Sequence, residues 1–185
     1  RQDGSSRFGE NHKWGTFPSI SLAWRLSDEP FMKCTSSWLD NLKVRLGFGV
    51  TGNQNGIGEY KSLSILSASG AAYYDAATQT WKNAYTQSQN VNPDLKWEST
   101  SQWNFGLDFS IFNRINGTLE LYHKKTSDLL WTYPGPQPPY LVGTMLANVG
   151  DLVNRGFELT LGANILRTKD WTLYANMSLA YNHQE

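Results

Sequence analysis

The residues with potential for chemistry are few and scattered. The stretch Gly49 to Ser62, GVTGNQNGIGEYKS, has the glycine content of a phosphate-cradling loop and ends in Lys61-Ser62. Such a loop needs glycine directly before the lysine, so that backbone N–H groups and the ammonium converge on one phosphate; Glu59 and Tyr60 stand there instead. It reads as a glycine-rich strand end and loop. His12, His123 and His183 have no catalytic motif around them, and no nucleophile elbow occurs. His123 continues an apolar strand face, which suits an interfacial ring better than a general base. The adjacent carboxylates Asp28-Glu29 fall in a turn that they cap or solvate. Cys34 is the single cysteine, so it forms no intrachain disulfide, and it lacks the neighbours of a zinc site. These residues predict no catalysis, no metal and no cofactor.

Aromatic side chains are the remaining candidates. Tyr73, Tyr74, Trp81 and Tyr85 share one long connection, and Trp131, Tyr133 and Tyr140 share another. Flat rings stack on the apolar faces of sugars, so these seven are the candidate substrate-binding residues. The competing reading is loop packing or an interfacial girdle, where Trp and Tyr collect. The proline-rich YPGPQPPY, Tyr133 to Tyr140, reads as a rigid extended loop and lacks the basic flanks of a docking peptide for an SH3-like partner. The glycosylation triplets at Asn116 and Asn176 read as chance matches.

The elements that must position these residues are strands. Six segments alternate apolar and polar residues with period two, and helical periodicity is nearly absent. Ile20, Leu22, Trp24 and Leu26 share one side of the first; Leu42, Val44, Leu46, Phe48 and Val50 share one side of the second. Trp103, Phe105, Leu107 and Phe109 are followed, after a turn over Asn113 to Gly117, by Leu119 and Leu121 with Tyr122 opposite. Phe157, Leu159, Leu161, Ala163 and Ile165 then lead across the link Arg167 to Asp170 into Trp171, Leu173, Ala175, Met177, Leu179 and Tyr181. Arg25, Lys43, Arg45, Asp108, Glu120, Lys124 and Glu158 all fall on the polar side. Each strand therefore has one greasy and one polar face, which suits either a sandwich core or lipid.

Composition admits both. The 185 residues are 39% hydrophobic and 14% aromatic, enough to bury a sizeable apolar surface. Sixteen basic residues balance sixteen acidic ones, so a nucleic-acid partner is not expected. No apolar run reaches the ~18 residues of a spanning helix, and alternating barrel strands average to a mildly polar mean hydropathy, here −0.49. Two features favour lipid. Trp171 and Tyr181 lie roughly 33 Å apart along a strand, which tilt shortens to about 25 Å, the height of the apolar band between the aromatic girdles of a membrane barrel. The predicted hairpin turns are short, whereas Ser67 to Ser99 and Thr126 to Arg155 are long, as in barrels with short periplasmic turns and long external loops. Parity then makes the material between the Leu42 and Trp103 strands external, with Tyr60 to Leu66 there, pairing with part of Ala72 to Tyr85. Ser27 to Asn41 becomes a periplasmic connection with a helical turn that Pro30 would open.

The punctuating blocks resemble the C-terminal barrel region of the SusC/RagA family of TonB-dependent outer-membrane receptors. They are WGTFPSISLAW (Trp14 to Trp24), WLDNLKVRLGFGVTGNQ (Trp38 to Gln54), NPDLKWE (Asn92 to Glu98), QWNFGLD (Gln102 to Asp108) and NVGDLVNRGFEL (Asn148 to Leu159), in the family's order. The resemblance implies an all-β fold, an antiparallel transmembrane segment of a large, 22-stranded, plugged barrel. Residues 1–185 would be a fragment of that barrel domain, with the plug, the TonB-engaging segment and the terminal strand outside it. It further implies import of glycans or peptides with a SusD-like surface lipoprotein, driven by the TonB complex, in contact with outer-membrane lipid and without covalent chemistry. A soluble carbohydrate-binding β-sandwich explains the alternation and the Trp content but not the loop asymmetry or the blocks. A barrel enzyme would need a nucleophile constellation that the residues do not supply.

Overall fold

The computed structural model describes residues 1–185 and divides into two compact units. The first comprises Arg1–Thr16, Gly52–Ser99 and Ser127–Asp151; the second comprises Phe17–Thr51, Thr100–Thr126 and Leu152–Glu185. Twelve strands follow one another: β1 Gln2–Gly4, β2 Trp14–Thr16, β3 Ser19–Arg25, β4 Leu39–Asn53, β5 Leu66–Asp75, β6 Thr80–Gln87, β7 Glu98–Ile111, β8 Ile115–Ser127, β9 Leu130–Pro134, β10 Thr144–Asn148, β11 Asp151–Arg167 and β12 Thr172–Gln184. Two short 3-10 turns, Leu26–Asp28 and Pro30–Thr35, join β3 to β4, with Pro30 opening the second as its fixed φ favours.

Unit two is a six-stranded open sheet in the order β12-β11-β8-β7-β4-β3. The six predicted segments are its strands, and β7, β8 and β11 outrun the predicted lengths. β4 and β7 are neighbours and antiparallel: Phe112 N–H donates to Trp38 O at one end, and Asn53 Nδ2 to Glu98 Oε1 at the other. No sheet strand lies between them, one of the arrangements parity allows, which is an even number or none. The apolar residues meet across strands on one face. Leu22 lies opposite Leu46, Trp24 opposite Val44, Leu159 opposite Leu179, and Leu161 opposite Met177. That face has no covering layer: Leu22 is 63% exposed, Leu173 53% and Leu179 52%. A sandwich would bury these side chains, so the soluble alternative fails here.

Glycine recurs where a neighbouring strand lays a large side chain across the sheet. A Cβ at Gly117 would stand 2.3 Å from the Phe109 ring, and one at Gly162 would stand 2.0 Å from the Tyr174 hydroxyl. At Gly156 it would meet Tyr181 O at 2.1 Å and the Tyr122 hydroxyl at 2.7 Å. Rings lying over bare backbone let long strands pack side by side without a filled core.

Three sequence expectations change. The first hairpin turns at Phe112 and Asn113 (φ 54° and 50°), closed by Arg114 N–H to Ile111 O at 3.1 Å, the primed geometry that matches strand twist. Gly117 is therefore a β8 residue under Phe109 rather than part of the turn. In β11 a register irregularity between Asn164 and Leu166 puts Leu166, not Ile165, opposite Leu173, because an extra residue resets the alternation. Trp171 precedes β12, so the ten-step strand between Trp171 and Tyr181 begins one residue late.

Unit one holds three small sheets, β1–β2, β5–β6 and β9–β10. Of the predicted external pairing, Tyr60 to Ile65 forms turns and bends, and the hairpin is β5 with β6, from Leu66–Gln87 to Asp75–Thr80. The β1–β2 and β9–β10 pairs had no prediction. The core is small: Phe8, Ile57 and Leu95 are buried at 0–3% exposure, with Trp97, Leu130 and Leu146 packed against them.

Candidate functional site

On the polar face of the sheet, the β4 guanidinium of Arg45 bridges two further strands. Its Nε and Nη2 donate to the two Asp108 oxygens on β7, each at 2.9 Å, and Nη2 also donates to Glu120 Oε1 on β8 at 2.8 Å. A Cβ at Gly106 would lie 2.8 Å from Arg45 Cζ, so the glycine makes room for the guanidinium to cross β7. The bidentate fork fixes Arg45 against Asp108 in plane, which ties three strands together on the side away from the apolar face. A cleft of about 500 Å³ beside it is lined by Ser21, Gly47, Gln102, Asn104 and Glu120 among others. Alternation identified each residue as polar-facing, but their meeting depends on register between strands remote in sequence.

The candidate aromatic residues all lie in unit one. On the β5–β6 hairpin, Tyr74 pairs with Trp81 and Tyr85 lies opposite Ala68, so Tyr74, Trp81 and Tyr85 share a face. The Tyr74 and Trp81 rings meet edge to face at 5.5 Å. Tyr73 pairs with Lys82 on the reverse face, beside the Lys82–Asp75 ion pair. Trp81 is 71% and Tyr85 66% exposed. On β9, Trp131 and Tyr133 point the same way, opposite Ala147 and Met145. Tyr140 folds back over Gly135 within the β9–β10 connection, its N–H donating to Pro136 O at 3.2 Å. The structure thus gathers Tyr74, Trp81 and Tyr85, and separately Trp131 and Tyr133, and sets Tyr73 apart.

The hairpin tip is held electrostatically. The Asp75 carboxyl is kept below its ordinary range, first by the Lys82 ammonium and then by Thr78 and the Ala77 N–H, which donates at 3.0 Å.

What sequence reasoning missed is the joint that holds these loops, although Asn53, Asn92, Trp97, Glu98 and Asn148 stand in the quoted blocks. Asn148 acts as a surrogate strand residue: its Oδ1 accepts from Lys96 N–H at 2.9 Å while its Nδ2 donates to Lys96 O at 2.8 Å and Asp128 O at 2.9 Å. Asn92 Nδ2 donates to Leu146 O, and Asn90 Nδ2 to Val142 O and Thr144 O. Glu98 receives Asn53 Nδ2 and Leu130 N–H. Phe8 lies on Trp97 at 4.6 Å, and Gly9 approaches so closely that a Cβ would fall 1.7 Å from Pro93 O. Asn, Glu and Gly at these places satisfy loop backbone that has no sheet partner. The signal available was the recurrence of Asn before turns, which names the residues but not their partners.

Among the described residues no three His, Cys, Asp or Glu side chains group as a metal site, and Cys34 is free and exposed. No helix is long and apolar enough to cross a membrane, a statement that does not bear on strands.

The family model described as TonB dependent receptor-like, beta-barrel, matches residues 1–185. The chain belongs to that family. It is similar to the TonB-dependent receptor SusC of Bacteroides thetaiotaomicron, 39% identical over 189 residues covering 100% of this chain and 18% of the relative. It is also similar to the TonB-dependent receptor P39 of Formosa agariphila, 38% identical over 186 residues covering 100% of this chain and 17% of that protein. Among solved structures, that of the RagAB peptide transporter aligns over 100% of this chain and 19% of its own, at 32% identity and a TM-score of 0.82. The open-open state of the RagAB peptide importer aligns over 97% of this chain and 19% of its own, at 32% identity and a TM-score of 0.83. The SusC/RagA resemblance and the barrel fold are borne out, and the chain is outer-membrane material of a transporter family, not of an enzyme family. It spans less than a fifth of the length of these curated relatives. An uncovered apolar face on the sheet is what membership of a membrane-barrel family leads one to expect.

Proposed function

We propose that these residues form part of the barrel wall and external loops of an outer-membrane receptor that imports oligosaccharides or peptides. A SusD-like lipoprotein would serve as surface partner and the TonB complex as energy source, the latter acting through parts of the receptor beyond residues 1–185. The observation that carries this reading is the six-stranded sheet whose uncovered apolar face is opposed by a polar face bearing Arg45, Asp108 and Glu120. One face suits lipid and the other an aqueous lumen. The short turn at Phe112–Asn113 then faces the periplasm, and strand parity makes the long connections that carry the candidate aromatic residues extracellular.

Within those loops, Tyr74, Trp81 and Tyr85 are the first-choice substrate contacts, with Trp131, Tyr133, Tyr140 and Tyr73 behind them. Their ring faces suit pyranose stacking, and no charged side chain shares the face of Tyr74, Trp81 and Tyr85. The test is uptake and binding by the intact receptor after Tyr74, Trp81 and Tyr85 are replaced together by Ala. Binding of the cognate oligosaccharide should weaken by roughly tenfold or more, on the scale of two lost stacking contacts, while heat-modifiable migration is retained. Unchanged oligosaccharide binding would remove the aromatic face from the site; growth on peptides alone would redirect the substrate class.

A further inference from the structure

One rim of the apolar face carries Arg155 and Lys125 with His123 and His183 beside them. On β11 and β12, Phe157 pairs with Tyr181 and the next residue on that face, Arg155, pairs with His183. The rings of Phe157 and Tyr181 stack at 6.0 Å. Gly117 beside Leu161, Gly156 beside Tyr122, and Asn164 N–H on Arg114 O fix β8 against β11 in one register. That register sets Leu121 opposite Phe157 and His123 opposite Arg155, and alternation puts Lys125 next on the same face. Three adjacent strands therefore present Leu121, Phe157 and Tyr181 in one row and His123, Arg155 and His183 in the row beyond it.

Arg155 and His183 are open, 56% and 43% exposed as side chains. Glu185 faces them: its Oε1 accepts from Arg155 Nη2 at 2.8 Å and contacts His183 Nε2 at 3.0 Å, so the guanidinium and the imidazole are held side by side. A shallow hollow of about 400 Å³, lined by Leu121, Arg155, Phe157, Tyr181 and His183, joins the two rows. The same height on the other three strands is apolar: Ile20 pairs with Phe48, whose ring lies 4.5 Å from Trp103. Snorkelling lysines and arginines would be spread along the whole rim. Here basic side chains are confined to one sector, directly beyond the row of Leu121, Phe157 and Tyr181, a placement that suits an anionic lipid headgroup.

We propose that this sector is a binding site for a phosphorylated lipid of the outer leaflet. Arg155 and Lys125 grip the phosphate, His123 and His183 add N–H donors, and the row of Leu121, Phe157 and Tyr181 receives an acyl chain. The proposal rests on the periplasmic orientation of the Phe112–Asn113 turn given above. That orientation is read separately, by whether an Asn113→Cys receptor stays unlabelled by a membrane-impermeant thiol reagent on intact cells.

The test uses the intact receptor in phosphatidylcholine nanodiscs, titrated with monophosphorylated lipid A and with the same lipid after removal of its phosphate, with bound lipid read by native mass spectrometry. The phosphorylated lipid should be retained roughly tenfold better, since each basic group near the surface adds a measurable increment. Arg155→Gln combined with Lys125→Gln should erase the difference. Equal retention of both lipids by the unmodified receptor would overturn the proposal, and so would an unaltered preference in a variant that keeps heat-modifiable migration. The comparison of two lipids on the unmodified receptor holds even if the double variant fails to fold. Equally tight capture of a soluble phosphorylated glucosamine would also overturn it, because an acyl-chain contact is part of the site.

Discussion

Asp75 illustrates how a single half-buried side chain orders the tip of the β5–β6 hairpin. Its carboxylate accepts from the Ala77 N–H and pairs with Lys82, and its pKa lies below the ordinary value of 3.8. A depressed folded-state pKa means that the contribution to loop order is complete above the unfolded value and is lost as pH falls through the folded one. The protection factor of the Ala77 amide should therefore fall on acidification below the usual carboxylate range, and Asp75→Ala should leave that amide unprotected at every pH. A pH-independent protection factor in the unmodified receptor would contradict this. Asn148 is a second such residue. Replacing it by Ala strands Lys96 N–H, Lys96 O and Asp128 O, at a cost of about 1–3 kcal/mol. Protease nicking near Asp94 should rise in the intact receptor while the barrel stays heat-modifiable. Neither role was visible from sequence, where Asp75 was not singled out and Asn148 stood only as the first residue of a family block; their partners lie across a hairpin or 52 positions away.

At the scale of elements, the polar and apolar faces of the strands obey different rules. The Arg45 bridge across β4, β7 and β8 leaves Asp108 and Glu120 unneutralised when Arg45→Met is made, and loss of its charged hydrogen bonds should cost about 1–3 kcal/mol. The temperature at which the receptor shifts on a detergent gel should fall, and Asp108→Asn with Glu120→Gln should restore part of it. A shift temperature unaffected by Arg45→Met would show that the bridge contributes nothing measurable. On the other face, Leu161 lies opposite Met177 near mid-strand. Leu161→Arg should destabilise the barrel by about 2–4 kcal/mol, the depth-dependent cost of a cation facing lipid, whereas Asn104→Arg on the polar face should be tolerated. Equal penalties at the two sites would mean that the faces are not lipid and water. These elements were legible: all six sheet strands and the helical turn opened by Pro30 follow from alternation and proline chemistry. The misplaced items were local, because Asn116-Gly117 imitates a turn and a bulge in β11 breaks the count.

For the molecule as a whole, the sheet is open, with β3 and β12 at its edges and a continuous greasy face. Unpaired edges and an apolar expanse of this kind associate in water. Residues 1–185 expressed alone should elute from size-exclusion chromatography as aggregate and disperse only in detergent; a monodisperse monomer in plain buffer would refute this. Only further strands can close such a sheet and satisfy its edge N–H and C=O groups in lipid, so stability belongs to the complete barrel.

The amino-acid sequence by itself determined the strands, their two faces and the family, because alternation and turn chemistry act between near neighbours. It could not determine which residues of distant strands meet. The Arg45 bridge, the Asn148 joint, the grouping of Tyr74 with Trp81 and Tyr85, and the cationic rim each depend on strand register, which is set by pairing across long connections. Tertiary structure decided those, since hydrogen bonds between strands select one alignment from many that the alternation permits.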